Sequence, residues 1–314
     1  MLDKKIFLIS HIADPDGVTA VVLGKLVFKN FNYALANVDE VDENVKKVLE
    51  DPNYDEIHVV DLNITEKYAE EINSSKYKNK IKIFDHHISN NDLNKYPFIS
   101  VVDEKDGHKE CGTSLYYNYL KSITENEYLN RNSTKDLVET VRLIDTWDWE
   151  KENKPEAKNI DIIFSMYGRE NYIKKYLRFI KTHEEFSYTA FDIKLIEIEN
   201  TKIQRYLEQK EKEMMKVTIE DEPVGIVYAE RYRSELGNYL IGKHEDLKYI
   251  ALINISRGIS YRGKDRIDLS VISKQRGGGG HKNAAGSPLP ENLLKQITEI
   301  IFKEVNFPND NKWK

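Results

Sequence analysis

Three short apolar runs, Ile6-Phe7-Leu8-Ile9, Ile57-His58-Val59-Val60 and Ile81-Lys82-Ile83-Phe84, are each followed by carboxylate or imidazole side chains, and helix-like segments separate them. Runs of this length and composition read as buried strands. Strands that alternate with helices make a parallel sheet with right-handed crossovers, so the three strand ends lie along one edge. His11, Asp14, Asp16, Asp61, Asp85, His86 and His87 are therefore expected in one crevice, where open α/β sheets place their ligands. So many carboxylates in one cleft repel one another unless cations neutralise them.

The first strand end, Ser10-His11-Ile12-Ala13-Asp14-Pro15-Asp16-Gly17, is expected as a turn leading into a helix over residues 18–31. Read alone, Asp14-Pro15-Asp16-Gly17 is also ordinary turn chemistry, and a lone His-His pair at a strand end is more often structural than functional. A helix over 66–75 leads to the third strand, and Gly112-Thr113-Ser114 reads as the start of another. Residues 134–144 repeat Leu137, Val138, Val141 and Ile144 at helical spacing and deliver Asp145-Thr146-Trp147-Asp148-Trp149. Asp145 is a further candidate ligand or a backbone cap. Trp147 and Trp149 read as packing residues, with stacking on a base as the alternative. His58, inside a strand, reads as a packed imidazole; His183 and His244 read as solvated.

The charged helical stretch 193–215 reads as a connector between domains. Beyond it come an expected strand over 224–228, a helix over 235–243, and strands over 249–255 and 267–272 joined through Tyr261-Arg262-Gly263. Next is Arg276-Gly277-Gly278-Gly279-Gly280-His281-Lys282-Asn283-Ala284-Ala285-Gly286, followed by a helix over 291–304. Successive glycines expose backbone N–H groups to an anion, and His281 and Lys282 add side-chain donors; a flexible linker is the plainer alternative. The expected organisation is an α/β, parallel-sheet metal-binding domain over 1–189, a helical connector over 190–216, and a smaller α/β substrate-binding domain over 217–314. A chain of 314 residues is long enough for two cores. Its net charge of -6 argues against a broad basic coat for long nucleic acid. Cys111 is its only cysteine, so no intramolecular disulfide forms and the cytoplasm is the expected setting. No leader or spanning segment is expected, since no apolar stretch is long enough.

On these motifs the chain resembles the DHH phosphoesterase superfamily, in the branch with the DHH-associated C-terminal domain. His11 to Gly17 resembles the first motif, Asp61 the second, Asp85-His86-His87 the third, Asp145 the fourth and Gly277 to Gly286 the C-terminal signature, in order across most of the chain. The Asp-Thr-Trp-Asp-Trp form and the Phe84 lead-in are most similar to the oligoribonuclease B and cyclic-nucleotide phosphodiesterase subgroup. In family II pyrophosphatases, by contrast, the first-motif histidine precedes the aspartates by one residue more than His11 does, and the C-terminal domain differs.

The resemblance implies two divalent cations, manganese with magnesium or cobalt as alternatives. His11, Asp14 and Asp61 would hold one; Asp16, Asp61, His86 and Asp145 would hold the other, with Asp61 bridging. It further implies that Asp85 orients His86, that His87 faces the phosphoryl or leaving oxygen, and that Arg262, Gly278, Gly279, Gly280 and His281 grip a terminal phosphate across an interdomain cleft. The implied reaction is hydrolysis of short oligoribonucleotides to mononucleotides by a hydroxide activated between the two metals. A cyclic nucleotide, a cyclic dinucleotide or 3′-phosphoadenosine 5′-phosphate is the alternative substrate, and a nucleotide-sensing module without turnover is the alternative of another class. The expected partner is short single-stranded RNA or a small nucleotide, neither a membrane nor long duplex nucleic acid, and a homodimer is left open.

Overall fold

The computed structural model describes residues 3–303, and the chain divides into two compact units between Glu197 and Ile198. The first unit holds β1 (Lys5–His11), α1 (Pro15–Val27), β2 (Asn30–Ala36), α2 (Val41–Leu49), β3 (Glu56–Val60), α3 (Glu66–Asn73), β4 (Ile81–Asp85) and β5 (Ile99–Val101). The strands pair in parallel in the order β2-β1-β3-β4-β5. A small hairpin of β6 (Glu104–Lys105) and β7 (His108–Lys109) precedes a run of helices: α4 (Gly112–Ile123), α5 (Glu127–Asn130), α6 (Asn132–Asp145), α7 (Asp148–Lys151) and α8 (Asn159–Thr182). Helix α9 (Ala190–Glu213) crosses the boundary, with Ile196 in the core of the first unit and Leu207 in that of the second.

Register decides where the chemistry sits. Ser10 lies opposite Val60, and Val60 opposite Phe84, so the next residues along the three strands, His11, Asp61 and Asp85, emerge side by side at the carboxyl edge of the sheet. One face of the sheet carries α2 and α3, whose Val41, Val45, Leu49, Ala69 and Ile72 are buried at helical spacing. The other carries α1, which packs against α4, α6 and α8 and is buried on nearly every side. Each fully buried aliphatic side chain there, such as Leu23, contributes about 1.5–3 kcal/mol.

Helix α1 starts earlier and stops earlier than the expected 18–31. Asp14 is its N-cap, accepting from the Gly17 amide at 3.3 Å, and Pro15 opens the first turn with its fixed φ. Asp16 and Gly17 are thus helical residues of the first turn, fixed more rigidly than a loop would fix them. The helix ends at Val27 because Phe31 belongs to β2, where its ring fills the space a side chain at Gly24 would need.

The second unit contains β8 (Met215–Ile219), β9 (Glu222–Tyr228), α10 (Arg233–Lys243), β10 (Tyr249–Asn254), β11 (Gly258–Gly263), α11 (Leu269–Gln275), β12 (Gly279–Gly280), β13 (Ala284–Ser287) and α12 (Leu293–Phe302). Its mixed sheet runs β12-β13-β11-β10-β9-β8. Residue 304, the expected end of the last helix, lies outside the described residues.

Two expectations exchange places here. Tyr261-Arg262-Gly263, read as a link, is the end of strand β11, and the expected strand 267–272 is largely helix α11. Asp268 decides the second point: its carboxylate caps the helix by accepting from the Ser270 amide at 2.9 Å. Leu269 and Ile272 are then buried one turn apart while Val271 is 51% exposed, an arrangement strand alternation does not give. Asp268→Ala should therefore lower the urea stability of this unit by about 1 kcal/mol, whereas Val271→Lys should stay within about 0.5 kcal/mol of the parent.

Candidate metal centre

Four carboxylates and three imidazoles from separate elements converge at the edge of the parallel sheet. Three sets, His11 with Asp14 and Asp61, Asp16 with His86 and Asp145, and Asp61 with His86 and His87, each have ligand atoms within 4.8 Å of one another. Asp61 faces both sides. Its Oδ2 lies 3.2 Å from His11 Nδ1 and its Oδ1 lies 3.2 Å from His86 Nε2. His11 Nδ1 is also 2.9 Å from Asp14 Oδ2, while His86 Nε2 is 3.5 Å from Asp145 Oδ2 and 3.9 Å from Asp16 Oδ2.

The backbone around Asp61 is strained to make this arrangement. Asp61 adopts φ of 58°, a left-handed conformation uncommon for a residue with a side chain. It is pressed against the start of α4, where a Cβ at Gly112 would lie 2.5 Å from that of Asp61. Gly17 is required for the same reason, since a Cβ there would lie 2.2 Å from the carbonyl oxygen of His11. Ser10 ties these segments together by donating to the carbonyls of Gly17 at 2.7 Å and Val60 at 3.2 Å.

Asp16 is fully buried and is held from behind. Its two oxygens accept from the Gly112 and Thr113 amides at 2.7 and 2.6 Å, where the positive end of α4 favours a carboxylate. Asp85, also buried, accepts from the His86 and His87 amides at 2.9 and 3.2 Å, from Asn63 Nδ2 at 3.1 Å and from Asn90 Nδ2 at 2.7 Å. Its ring contact is with His87, whose Nδ1 lies 2.8 Å away. Asp85 therefore orients His87, and the expectation that it orients the His86 ring is corrected: the His86 ring turns the other way, toward Asp61 and Asp145.

The crowded carboxylates and imidazoles shift one another's protonation. Asp14 and Asp61 raise the His11 imidazole to about 10 against the effect of burial. Burial disfavours a charged His86, yet Asp61, Asp145 and Asp16 raise it to about 10 as well. Burial lifts Asp145 to about 6, with Asp61 and Asp14 adding to it, and burial followed by Asp61 and Asp145 pushes Asp16 well above the usual carboxylate range. Each shift draws positive charge into the crevice or expels negative charge from it. In addition, the buried His11 Nδ1 makes no well-directed hydrogen bond despite the two carboxylates beside it. A donor set of imidazoles and carboxylates with these demands fits divalent transition metals. His11, despite its spacing from the aspartates, is brought into the cluster with Asp14 and Asp61.

Residues 5–143 match the DHH family, N-terminal domain. Oligoribonuclease NrnB of Bacillus subtilis is 33% identical over 306 residues, a match covering 94% of this chain and 76% of that protein. The chain belongs to the DHH family. It is a phosphodiesterase. The fold of this DHH enzyme is shared with a pGpG-specific phosphodiesterase of Vibrio cholerae, at a TM-score of 0.53 and 9% identity over 96% of this chain and 98% of that one. It is shared also with exonuclease RecJ bound to manganese, at a TM-score of 0.51 and 14% identity over 97% and 91% of the two chains.

The expected substrate residues lie in the second unit. Arg262 is on β11, its Nη1 donating to the Tyr261 carbonyl at 2.9 Å and its Nη2 to Ser234 Oγ at 3.0 Å. Gly279 and Gly280 form β12 against β13, and His281 is exposed beyond it. The glycines serve close packing first. A Cβ at Gly278 would lie 2.0 Å from the Gly286 carbonyl oxygen, and one at Gly280 would lie 2.5 Å from the Ala285 Cα. The amides of Gly278 and His281 donate to Ser273 and Ala284, so the run is not an open row of free donors. Only around Gly279 is there open space within this strand.

Other residues fall into place around these. His58 is buried, with Tyr116 Oη 2.9 Å and Glu56 Oε2 3.2 Å from its ring nitrogens, as a packed histidine should be. His183 stacks on Phe179, and His244 sits 3.2 Å from Glu211, so it is paired, not simply solvated. Trp149 packs against the core, while Trp147 is 41% exposed. Sequence reasoning missed Asn63, Asn90, Thr113 and the second role of Gly112, because a supporting asparagine or helix-start glycine has no signature until its partner is placed. Asn90→Ala should lower kcat about tenfold by freeing Asp85 and with it His87, with the metal concentration for half-activation little changed, as steady-state kinetics would show.

Proposed function

We propose that this DHH phosphodiesterase hydrolyses short oligoribonucleotides to mononucleotides, using two divalent cations, manganese above all. The observation that carries the proposal is the Asp61 carboxylate, whose two oxygens each face a different histidine-aspartate set. His11, Asp14 and Asp61 would hold one cation and Asp16, Asp61, His86 and Asp145 the other. Manganese is favoured by the mixed imidazole and carboxylate donors, and the RecJ structure that shares the fold is bound to manganese. Bound there, the cations supply Lewis acidity toward the phosphoryl oxygen and acidify the attacking water.

The chain's own residues do the rest. Asp85 accepts from His87 Nδ1, which leaves Nε2 as the nitrogen that exchanges a proton with substrate, and the His87 side chain is 51% exposed. Asp85 raises the His87 pKa, with burial opposing, so the ring is a proton donor suited to the leaving oxygen. Within the second unit, Arg262 and His281 offer side-chain donors to a phosphate, and Gly279 is where a sugar-phosphate can pass closest to the backbone. Concentrating cations at two places lets a chain of net charge -6 take a short polyanion while disfavouring long duplexes. The oligoribonuclease name of the 33% identical relative supports short RNA over a cyclic nucleotide or 3′-phosphoadenosine 5′-phosphate. We place the reaction in the cytoplasm, where the lone, buried Cys111 stays reduced. Among the described residues no helix is long and apolar enough to cross a membrane.

A panel of labelled dinucleotides, longer oligomers, cyclic nucleotides and 3′-phosphoadenosine 5′-phosphate, incubated with the protein and manganese, tests the substrate. Dinucleotides should be cleaved fastest, and a faster cyclic substrate would overturn the assignment. Asp61→Ala and His86→Ala should each abolish turnover with the circular dichroism spectrum intact. His87→Gln should lower kcat about 100-fold while manganese still binds; retained activity in any of the three removes the corresponding role.

A further inference from the structure

Helix α8 is broken at Gly168, whose φ of 67° and ψ of 164° are not helical. The helix resumes at Arg169, and residues 169–172 fasten it to the elements around His11, Asp14 and Asp16. Tyr172 Oη lies 2.9 Å from Thr19 Oγ1 on α1, with both residues buried. Glu170 Oε1 accepts from Tyr33 Oη on β2 at 2.9 Å. Arg169 reaches the turn itself: its Nε donates to the Ile12 carbonyl at 2.6 Å across 157 residues of chain. Ile12 follows His11 and comes two residues before Asp14, so this guanidinium stands beside the backbone that presents both candidate ligands.

Holding the turn does not call for a charge there. The Thr19–Tyr172 and Tyr33–Glu170 contacts already dock the resumed helix, and the Ile12 carbonyl is satisfied by any neutral donor. Arg169 is exposed, and among the described residues no carboxylate pairs with it, although the cluster beside it holds four. Its Nε is engaged by Ile12, while Nη1 and Nη2 have no partner among the described residues. Fixing Nε orients the guanidinium plane, so its outer edge is a preset fork for the oxygens of one anion. Gly168 serves that placement. Nothing lies within 4 Å of where its Cβ would be, so glycine is needed there for its positive φ, which makes the break that precedes Arg169.

We propose that Arg169 is a further substrate-binding residue of this phosphodiesterase, gripping non-bridging oxygens of the phosphoryl group that reacts at the candidate metal centre. Position and charge select the ligand. An oriented guanidinium without an acid partner is suited to an anion that comes and goes, and the anion this enzyme handles is a phosphodiester. Held beside the His11–Asp14 turn, Arg169 adds a fixed positive charge where negative charge builds up on the phosphoryl oxygens during displacement. The contact is to the phosphate, which every phosphodiester has, so it assists turnover without choosing a base or a sugar. The inference rests on the reading of the acid-imidazole cluster as the metal centre and adds to it a cation supplied by the chain.

The test uses bis(p-nitrophenyl) phosphate and the dinucleotide ApA, in manganese, with the parent, Arg169→Gln and Arg169→Lys. Glutamine keeps a neutral donor and removes the charge. In Arg169→Gln, kcat/KM should fall about thirtyfold on both substrates, and Arg169→Lys should recover part of the loss. The manganese concentration for half-activation and the thermal midpoint should stay those of the parent. A residue that only braced the turn would move both, because His11 and Asp14 would shift with it. No loss, a loss confined to one of two cleaved substrates, or a loss matched by a changed manganese requirement overturns the inference. Calorimetry with inorganic phosphate needs no turnover: the manganese-loaded parent should bind it and Arg169→Gln should bind it about tenfold more weakly, whereas equal binding, or none in the parent, overturns the inference. If bis(p-nitrophenyl) phosphate is cleaved with this dependence on Arg169 and ApA is not cleaved, the arginine assignment stands and the oligoribonuclease reading falls. A parent that binds no manganese defeats the metal centre and the inference with it, a failure distinct from a loaded parent and variant that behave alike.

Discussion

A buried carboxylate shared between two histidines is the constraint on which the first unit turns. Asp61 is almost wholly removed from solvent, and burial alone would push its pKa up; His11 and His86 reverse that and hold it below the ordinary value. Asp14, Asp16 and Asp145 crowd the same space, so its charge balance closes only with added positive charge. The neighbouring carboxylates raise the His11 and His86 imidazoles and so favour their charged forms. Divalent cations held there would supply that positive charge more effectively, because one ion replaces several protons.

That cluster governs the architecture behind it. The left-handed backbone at Asp61 and the glycines at positions 17 and 112 are each less favourable alone than an ordinary turn or helix would be. They are tolerated because the parallel sheet and the buried α1 fix them on both sides. The Asp85 shell follows the same logic: two asparagines and two backbone amides hold a carboxylate whose pKa, despite burial, lies at about 2, and that carboxylate sets the orientation of His87. Rigidity in the supporting residues is what fixes the orientation of the His87 ring.

The alternation of apolar strands with helices, together with the acids and imidazoles at the strand ends, was enough to specify a parallel sheet with His11, Asp61 and Asp85 on one edge, because side-chain period and crossover handedness are local rules. The edge strand β2 escaped that reading, since Phe31 continues the apolar pattern of α1. The direction of the Asp85 contact and the part played by Gly112 were not legible. The first depends on how two near neighbours turn their side chains, the second on which residues, distant in sequence, the fold brings together. The same is true of helix α11, where the Asp268 cap outweighed a run of residues that suits a strand equally well. Sequence by itself determined which kinds of groups gather at the sheet edge; only tertiary packing decided which atom of each group faces which partner, because hydrogen bonds and coordination depend on orientation and periodicity does not carry it.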